Sequence, residues 1–146
     1  MKVYFDTRLL LKLYSAEPDS AKAAALVQSQ EDPLIFCQLQ QTELRNALYR
    51  KAARHEIDRK HLARSLKRVQ SDLDEGILQV PSLEWPEVWA RADRLTAKYA
   101  LVTQCRILDM LHVAVAMELD VKTMGTTDAR QMIVARKAGL KIVTLP

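Results

Sequence analysis

The chain has 146 residues, the length of one domain, and 49% of them are hydrophobic, enough for a real core and too many for a disordered chain. No apolar run approaches the roughly 20 residues of a membrane span, and the opening Met1-Lys2-Val3-Tyr4-Phe5-Asp6 reads as a buried strand and not as a secretion signal, so a cytoplasmic protein is expected. The net charge of +4 is uneven: residues 45–68 hold nine Lys or Arg against two acids, a local +7 that leaves −3 for the rest and favours a polyanionic partner over a membrane.

In chain order, residues 3–5 form a short apolar run that predicts a strand. Helices are expected at about 7–14 and, after Pro18, at 20–28, with a second strand at 34–37. Residues 40–54 predict a helix with Leu44, Ala47 and Leu48 on one face. Asp58 is placed to cap a second basic helix that runs to about Asp74, where Gly76 stops it. A third strand follows at 77–80. Pro86 opens a helix that reaches Tyr99. Residues 107–119 are the most apolar helix, 122–127 a fourth strand, 129–138 a helix ended by Gly139, and 141–145 a last strand.

Strands alternating with helices predict α/β architecture: a three-layer α/β/α sandwich with a central parallel sheet of four to five strands, as a single domain over 1–146. Cys37 and Cys105 lie in apolar surroundings without Cys-x-x-Cys spacing, so they read as reduced core residues and not as zinc ligands.

Parallel sheets bind ligands beyond the carboxyl ends of their strands. Asp6 directly follows the first strand, and Asp128 directly follows the fourth. Each has two open roles, a helix N-cap or a group in the crevice. Glu43 sits mid-helix on a stripe with Leu39 and Ala47, so it points along the apolar edge and needs a partner: an arginine, or a site. Asp109 shares its face with Val113 and Ala116, in the first turn of its helix, where the helix dipole is a structural alternative to function. Four such acids in one crevice would repel one another and take up protons. A bound Mg²⁺ or Mn²⁺ removes that penalty, and carboxylate-held metals serve phosphodiester hydrolysis. The three glycines are unclustered, and no Asp-x-Asp follows the first strand, so a phosphate-loop or phosphotransfer enzyme is disfavoured.

These segments carry a resemblance. Val3-Tyr4-Phe5-Asp6-Thr7 with Leu9-Leu10-Leu11, Thr42-Glu43-Leu44-Arg45-Asn46-Ala47-Leu48, Arg106-Ile107-Leu108-Asp109-Met110-Leu111-His112, and Thr126-Thr127-Asp128-Ala129-Arg130-Gln131 with Ala138-Gly139-Leu140 together resemble the PIN-domain family, especially its VapC-type toxin ribonucleases. The ordered set of four acids spans nearly the whole chain. The resemblance implies a PIN-like fold and a Mg²⁺- or Mn²⁺-dependent endoribonuclease that uses metal-activated water, with Asp6, Glu43, Asp109 and Asp128 as catalytic metal ligands. It also implies an RNA substrate, a small cognate antitoxin and frequent homodimers.

One position departs from the family pattern: where a small Ser or Asn usually stands two residues after the first acid, this chain has Arg8. Arg8 has three open roles, to contact RNA phosphate, to pair with a site carboxylate, or to point into solvent. Thr126 and Arg130 are further substrate-binding candidates, each with a plain structural alternative. His112 reads as a hydrogen-bonded packing residue, and Trp85, Trp89 and Tyr99 read as packing side chains at core spacing. The rival functions are a non-catalytic or regulatory RNA-binding module on the same fold, and a housekeeping RNA-processing nuclease.

Overall fold

The computed structural model describes residues 2–145. The elements are β1 (Val3–Phe5), α1 (Thr7–Tyr14), α2 (Ser20–Gln28), β2 (Leu34–Ile35), α3 (Gln38–Ala53), α4 (Arg59–Asp74), β3 (Leu78–Gln79), α5 (Trp85–Thr103), α6 (Ile107–Glu118), β4 (Thr123–Gly125), α7 (Ala129–Lys137) and β5 (Lys141–Val143). Every predicted element is present, and all paired strands are parallel. The strands form a central three-stranded sheet, β1-β4-β5, and a separate two-stranded ladder, β2-β3, where the sequence predicted one sheet of four to five. Local periodicity shows that a segment is a strand; which neighbour it bonds to is decided by packing.

The chain divides into two compact units. One is built on Thr7–Pro81 and holds α1 to α4 with β2 and β3. Its core comes from Leu9, Leu10, Leu44, Leu48, Phe36 and Leu78. On α3 the buried stripe is Gln40, Leu44, Leu48 and Lys51, one position along from Glu43. Cys37 caps α3: its backbone N–H donates to Gln40 Oε1 (2.7 Å), which satisfies the donor of the cap residue. Asp58 caps α4 as predicted, accepting from the His61 backbone N–H at 2.7 Å. Gly76 follows α4 at φ +76°, a conformation that glycine adopts without a Cβ penalty.

The other unit joins Lys2–Asp6 to Ser82–Thr144. Strand β4 is the middle strand, and all three residues of both β1 and β4 are buried. Burying a side chain such as Val3 or Phe5 contributes about 1.5–3 kcal/mol. Helices α5 and α6 pack against each other, α5 through Val88, Ala92 and Leu95, an i, i+4, i+7 stripe. Trp89, one position off that stripe, is half-exposed, which corrects its reading as a packing residue. Helix α5 also runs past Tyr99 to Thr103, where Gln104 takes a left-handed conformation at φ 55°. Cys37 and Cys105 are buried and not joined in a disulfide. Among the described residues no helix is long and apolar enough to cross a membrane.

Candidate active site

Parallel pairing of β1 with β4, and of β4 with β5, sets the C-terminal ends of these strands side by side. The Asp6 N–H donates to the Gly125 carbonyl (2.8 Å), and the Thr126 N–H donates to the Val143 carbonyl (3.2 Å). Asp6 and Thr126 therefore leave the sheet at the same edge, where parallel sheets bind ligands. Asp6 is only 2% exposed. A carboxylate so buried needs compensation. Its Oδ1 lies 3.5 Å from His112 Nε2 and 3.5 Å from Gln131 Nε2, the outer limit of hydrogen bonding. Its Oδ2 is buried and has no hydrogen-bond partner among the described residues.

His112 sits on α6, fully buried, with Nδ1 at 2.6 Å from the Tyr4 hydroxyl. The ring thus bridges the Tyr4 hydroxyl, on its Nδ1 side, and the Asp6 carboxylate, on its Nε2 side. The expectation of a hydrogen-bonded packing histidine is met, and its packing place is against Asp6.

The fourth strand ends in Thr126, which is also fully buried. Its hydroxyl donates to Gln131 Oε1 at 2.5 Å and accepts from the Asp128 N–H at 3.1 Å. Asp128 is the N-cap of α7, with Oδ1 accepting from the Gln131 backbone N–H at 2.8 Å. The capping role weighed for Asp128 is therefore real. Asp109 is buried in the first turn of α6, and its backbone carbonyl accepts from Gln131 Nε2 at 3.2 Å. The same unit thus ties Asp6, the Asp109 carbonyl and Thr126 to the Gln131 side chain, and Asp128 to the Gln131 backbone. Arg130 is exposed beside it, in the first turn of α7.

Glu43 belongs to the other unit. It is half-buried on α3, on the edge of the apolar stripe as its spacing predicted. Its Oε1 accepts from the Thr7 hydroxyl at 2.9 Å, and Thr7 is the residue that follows Asp6 in the chain. Arg8, next along, is exposed.

The donor chemistry fits a hard divalent cation. The acids offer carboxylate oxygens, which Mg²⁺ and Mn²⁺ prefer, and Asp6 keeps one buried oxygen unused by protein donors. Among the described residues no three His, Cys, Asp or Glu side chains form a group that could hold an ion. One oxygen of Asp128 accepts from the backbone of its own helix. Ligation in part through water, common for Mg²⁺, suits such a set.

Gln131 is the residue that the motif reading passed over. A signal existed: Gln131, Val134 and Ala135 share the buried face of α7, so a polar side chain stands on an apolar stripe. That is the argument that singled out Glu43. Thr7 gave no comparable signal, because a threonine at a helix start is ordinary.

No curated protein matches the sequence. Among solved structures, a toxin–antitoxin complex from Klebsiella pneumoniae is similar with a TM-score of 0.67 at 15% identity, covering 98% of this chain and 97% of that one. The crystal structure of FitAcB from Neisseria gonorrhoeae is similar with a TM-score of 0.62 at 16% identity, covering 96% and 95%. At such identities the likeness shows the fold. The family model of the PIN domain matches residues 3–138, so the chain belongs to the PIN-domain family, whose members are in general nucleases.

Proposed function

We propose that this protein is a divalent-metal-dependent endoribonuclease and the toxin of a toxin–antitoxin pair, working in the cytoplasm as a single domain. The observation that carries the reading is Asp6: a buried carboxylate at the C-terminal edge of a parallel sheet, with one oxygen unsatisfied and with Asp109 and Asp128 tied to the same glutamine. Asp6, Glu43, Asp109 and Asp128 are the proposed holders of Mg²⁺ or Mn²⁺, directly or through water. When bound, such a cation supplies charge for the developing phosphorane and acidifies water. Asp6 is held in place by burial and by its contacts with Gln131 and His112, and Asp109 by burial and the bond at its backbone carbonyl, so they need little rearrangement on loading. Arg130 and Arg8, exposed in the first turns of α7 and α1, are proposed to meet RNA phosphates. The Thr126 hydroxyl is engaged inside the protein, so its part in substrate binding runs through Gln131 and Asp128. Water attack on phosphorus with loss of the 3′ oxygen leaves a 5′-phosphate and a 3′-hydroxyl.

Two further observations support the partners. Of the nine basic residues in 45–68, Lys51 is consumed by Glu17 (3.2 Å) and Arg54 by Glu56 (2.9 Å); the other seven are exposed, a surface suited to RNA backbone. Leu101 (93% exposed) and Val102 (73%) stand at the end of α5, with Ile107 and Leu108 half-exposed at the start of α6, apolar area suited to a protein partner. An antitoxin and a second copy of the chain are both part of the proposal, the first because the similar structures include a toxin–antitoxin complex.

Asp6→Asn and Asp109→Asn should each abolish Mn²⁺-supported RNA cleavage while the fold persists by circular dichroism. Full activity in either variant sinks the reading. One observation favours a rival, an RNA-binding module without catalysis: no three acidic groups are gathered among the described residues. RNA binding that is indifferent to EDTA, with no cleavage in Mg²⁺ or Mn²⁺, would select it. Growth arrest relieved by a co-expressed neighbouring gene separates a toxin from a housekeeping nuclease.

A further inference from the structure

We infer that Gln131 is a positioning residue that sets the orientation of Asp6 and locks it to Asp128, so that Asp6 Oδ2 is the oxygen presented to a cation; the inference rests on the metal-site reading above. The side chain is fully buried at the head of α7. Its Nε2 faces two groups that only accept, Asp6 Oδ1 at 3.5 Å and the Asp109 carbonyl at 3.2 Å. Turning the amide over would set Oε1 against both, oxygen facing oxygen, so the chemistry of the neighbours decides the orientation. Oε1 then accepts from the Thr126 hydroxyl, which has no freedom left because it also accepts from the Asp128 N–H. The Gln131 backbone N–H holds Asp128 Oδ1 at 2.8 Å. One residue therefore links the ends of β1 and β4, the first turn of α6 and the cap of α7.

The effect on Asp6 follows from charge. Two donors, Gln131 Nε2 and His112 Nε2, lie on the Oδ1 side, the second backed by Tyr4. Among the described residues none hydrogen-bonds Oδ2. Partial rotation of the Asp6 carboxylate would take an oxygen away from both donors without giving the other one a partner, which is unfavourable in a buried setting. Gln131 thus makes the two oxygens inequivalent before any ligand arrives. A residue that fills space alone would be replaceable by any side chain of the same volume; a methionine fills the volume and donates nothing.

The test is Mn²⁺ affinity measured by electron paramagnetic resonance on the wild type, Gln131→Met, Thr126→Val and Asp6→Asn, with urea melts of each. Outer-shell partners of metal ligands typically contribute about 10–100-fold in affinity, so Gln131→Met should bind Mn²⁺ weaker by that order. Thr126→Val, which frees the Gln131 amide without touching Asp6, should show a smaller loss in the same direction. Raising Mn²⁺ to saturation should restore much of the cleavage rate in both. Wild-type Mn²⁺ affinity in folded Gln131→Met overturns the inference, even if that variant melts earlier. Should Gln131→Met fail to fold, wild-type affinity in Thr126→Val overturns it instead. If Asp6→Asn binds Mn²⁺ as well as the wild type, the metal-site reading itself fails and the inference falls with it. Loss in Asp6→Asn with none in Gln131→Met removes the inference alone.

Discussion

In the unit of Thr7–Pro81, buried and half-buried polar side chains tie one helix to another. The Tyr14 hydroxyl at the end of α1 donates to Asp72 on α4 at 2.5 Å, and the Ser65 hydroxyl on α4 donates back to the Tyr14 carbonyl at 2.6 Å. Lys51 on α3 reaches Glu17 at 3.2 Å, which also meets Lys12 on α1 at 3.2 Å. In the unit of Lys2–Asp6 and Ser82–Thr144, His112, backed by Tyr4, and Gln131, backed by Thr126, both reach Asp6 Oδ1 and leave its other oxygen over. Each unit also buries one unpartnered hydroxyl, Ser15 Oγ and Thr123 Oγ1. A lone hydroxyl costs far less than a lone carboxylate oxygen, so among these described groups Asp6 is the one with most to gain from a cation. Polar groups that finish their bonds inside the protein hold the fold; a buried carboxylate that stops one bond short is the basis of the proposed site.

The largest change to this contrast should come from Gly125→Ala. Gly125 pairs with Phe5 across the β1-β4 ladder, and a Cβ there would overlap the buried Phe5 ring, with Cε1 at 2.6 Å. Overpacking of this kind costs about 1–3 kcal/mol. The strain falls on the residue before Asp6, so stability and Mn²⁺ affinity should fall together, as read by urea melts and metal titration. A normal melt would mean that the ring moves aside freely and that β1 does not fix Asp6.

Tyr14→Phe should have a smaller and purely structural effect. It removes a hydrogen bond to a charged group, worth about 1.5–3 kcal/mol when the acceptor is shielded and less here because Asp72 is only half-buried. Unfolding free energy should drop by about 1–2 kcal/mol while Mn²⁺ affinity stays unchanged. A metal-binding defect in Tyr14→Phe would erase the distinction between the two kinds of polar network.

How far the sequence revealed each network follows from the same distinction. Asp6 and Asp128 were legible because they end strands, and strand ends in a parallel sheet are where ligands bind. Glu43 was legible because a charge on an apolar edge violates the helical pattern. Gln131 violates it equally, on the stripe with Val134 and Ala135, yet a neutral amide attracts less notice than an acid. What joins Gln131 to Asp6 spans most of the chain, and no local pattern encodes it. The same limit explains the strands. Residues 34–37 and 77–80 announce extended apolar segments, but their pairing as a ladder apart from β1-β4-β5 is a long-range choice. The end of α5 was missed for another reason: Gln104 adopts the left-handed conformation that a glycine normally marks, so no stop signal was written at Thr103.

The smallest expected effect is a pH dependence confined to the structural network. Burial, reinforced by the hydrogen bond to Asp72, pushes the Tyr14 hydroxyl well above the usual tyrosine value of 10.0. The folded protein therefore favours neutral Tyr14, and the stabilisation is fully present while the unfolded chain is also neutral, below 10.0. Above that pH the unfolded tyrosine ionises and the folded one does not, so the contribution declines as pH rises. The stability difference between wild type and Tyr14→Phe should be flat below 10.0 and shrink above it, with all other titrating groups common to both proteins. A difference that grows with pH would mean that Tyr14 is stabilised as its anion, by Arg68 stacked 5.4 Å over its ring, and not as a donor to Asp72. In that case the guanidinium, and not the carboxylate, would be the group that joins α1 to α4.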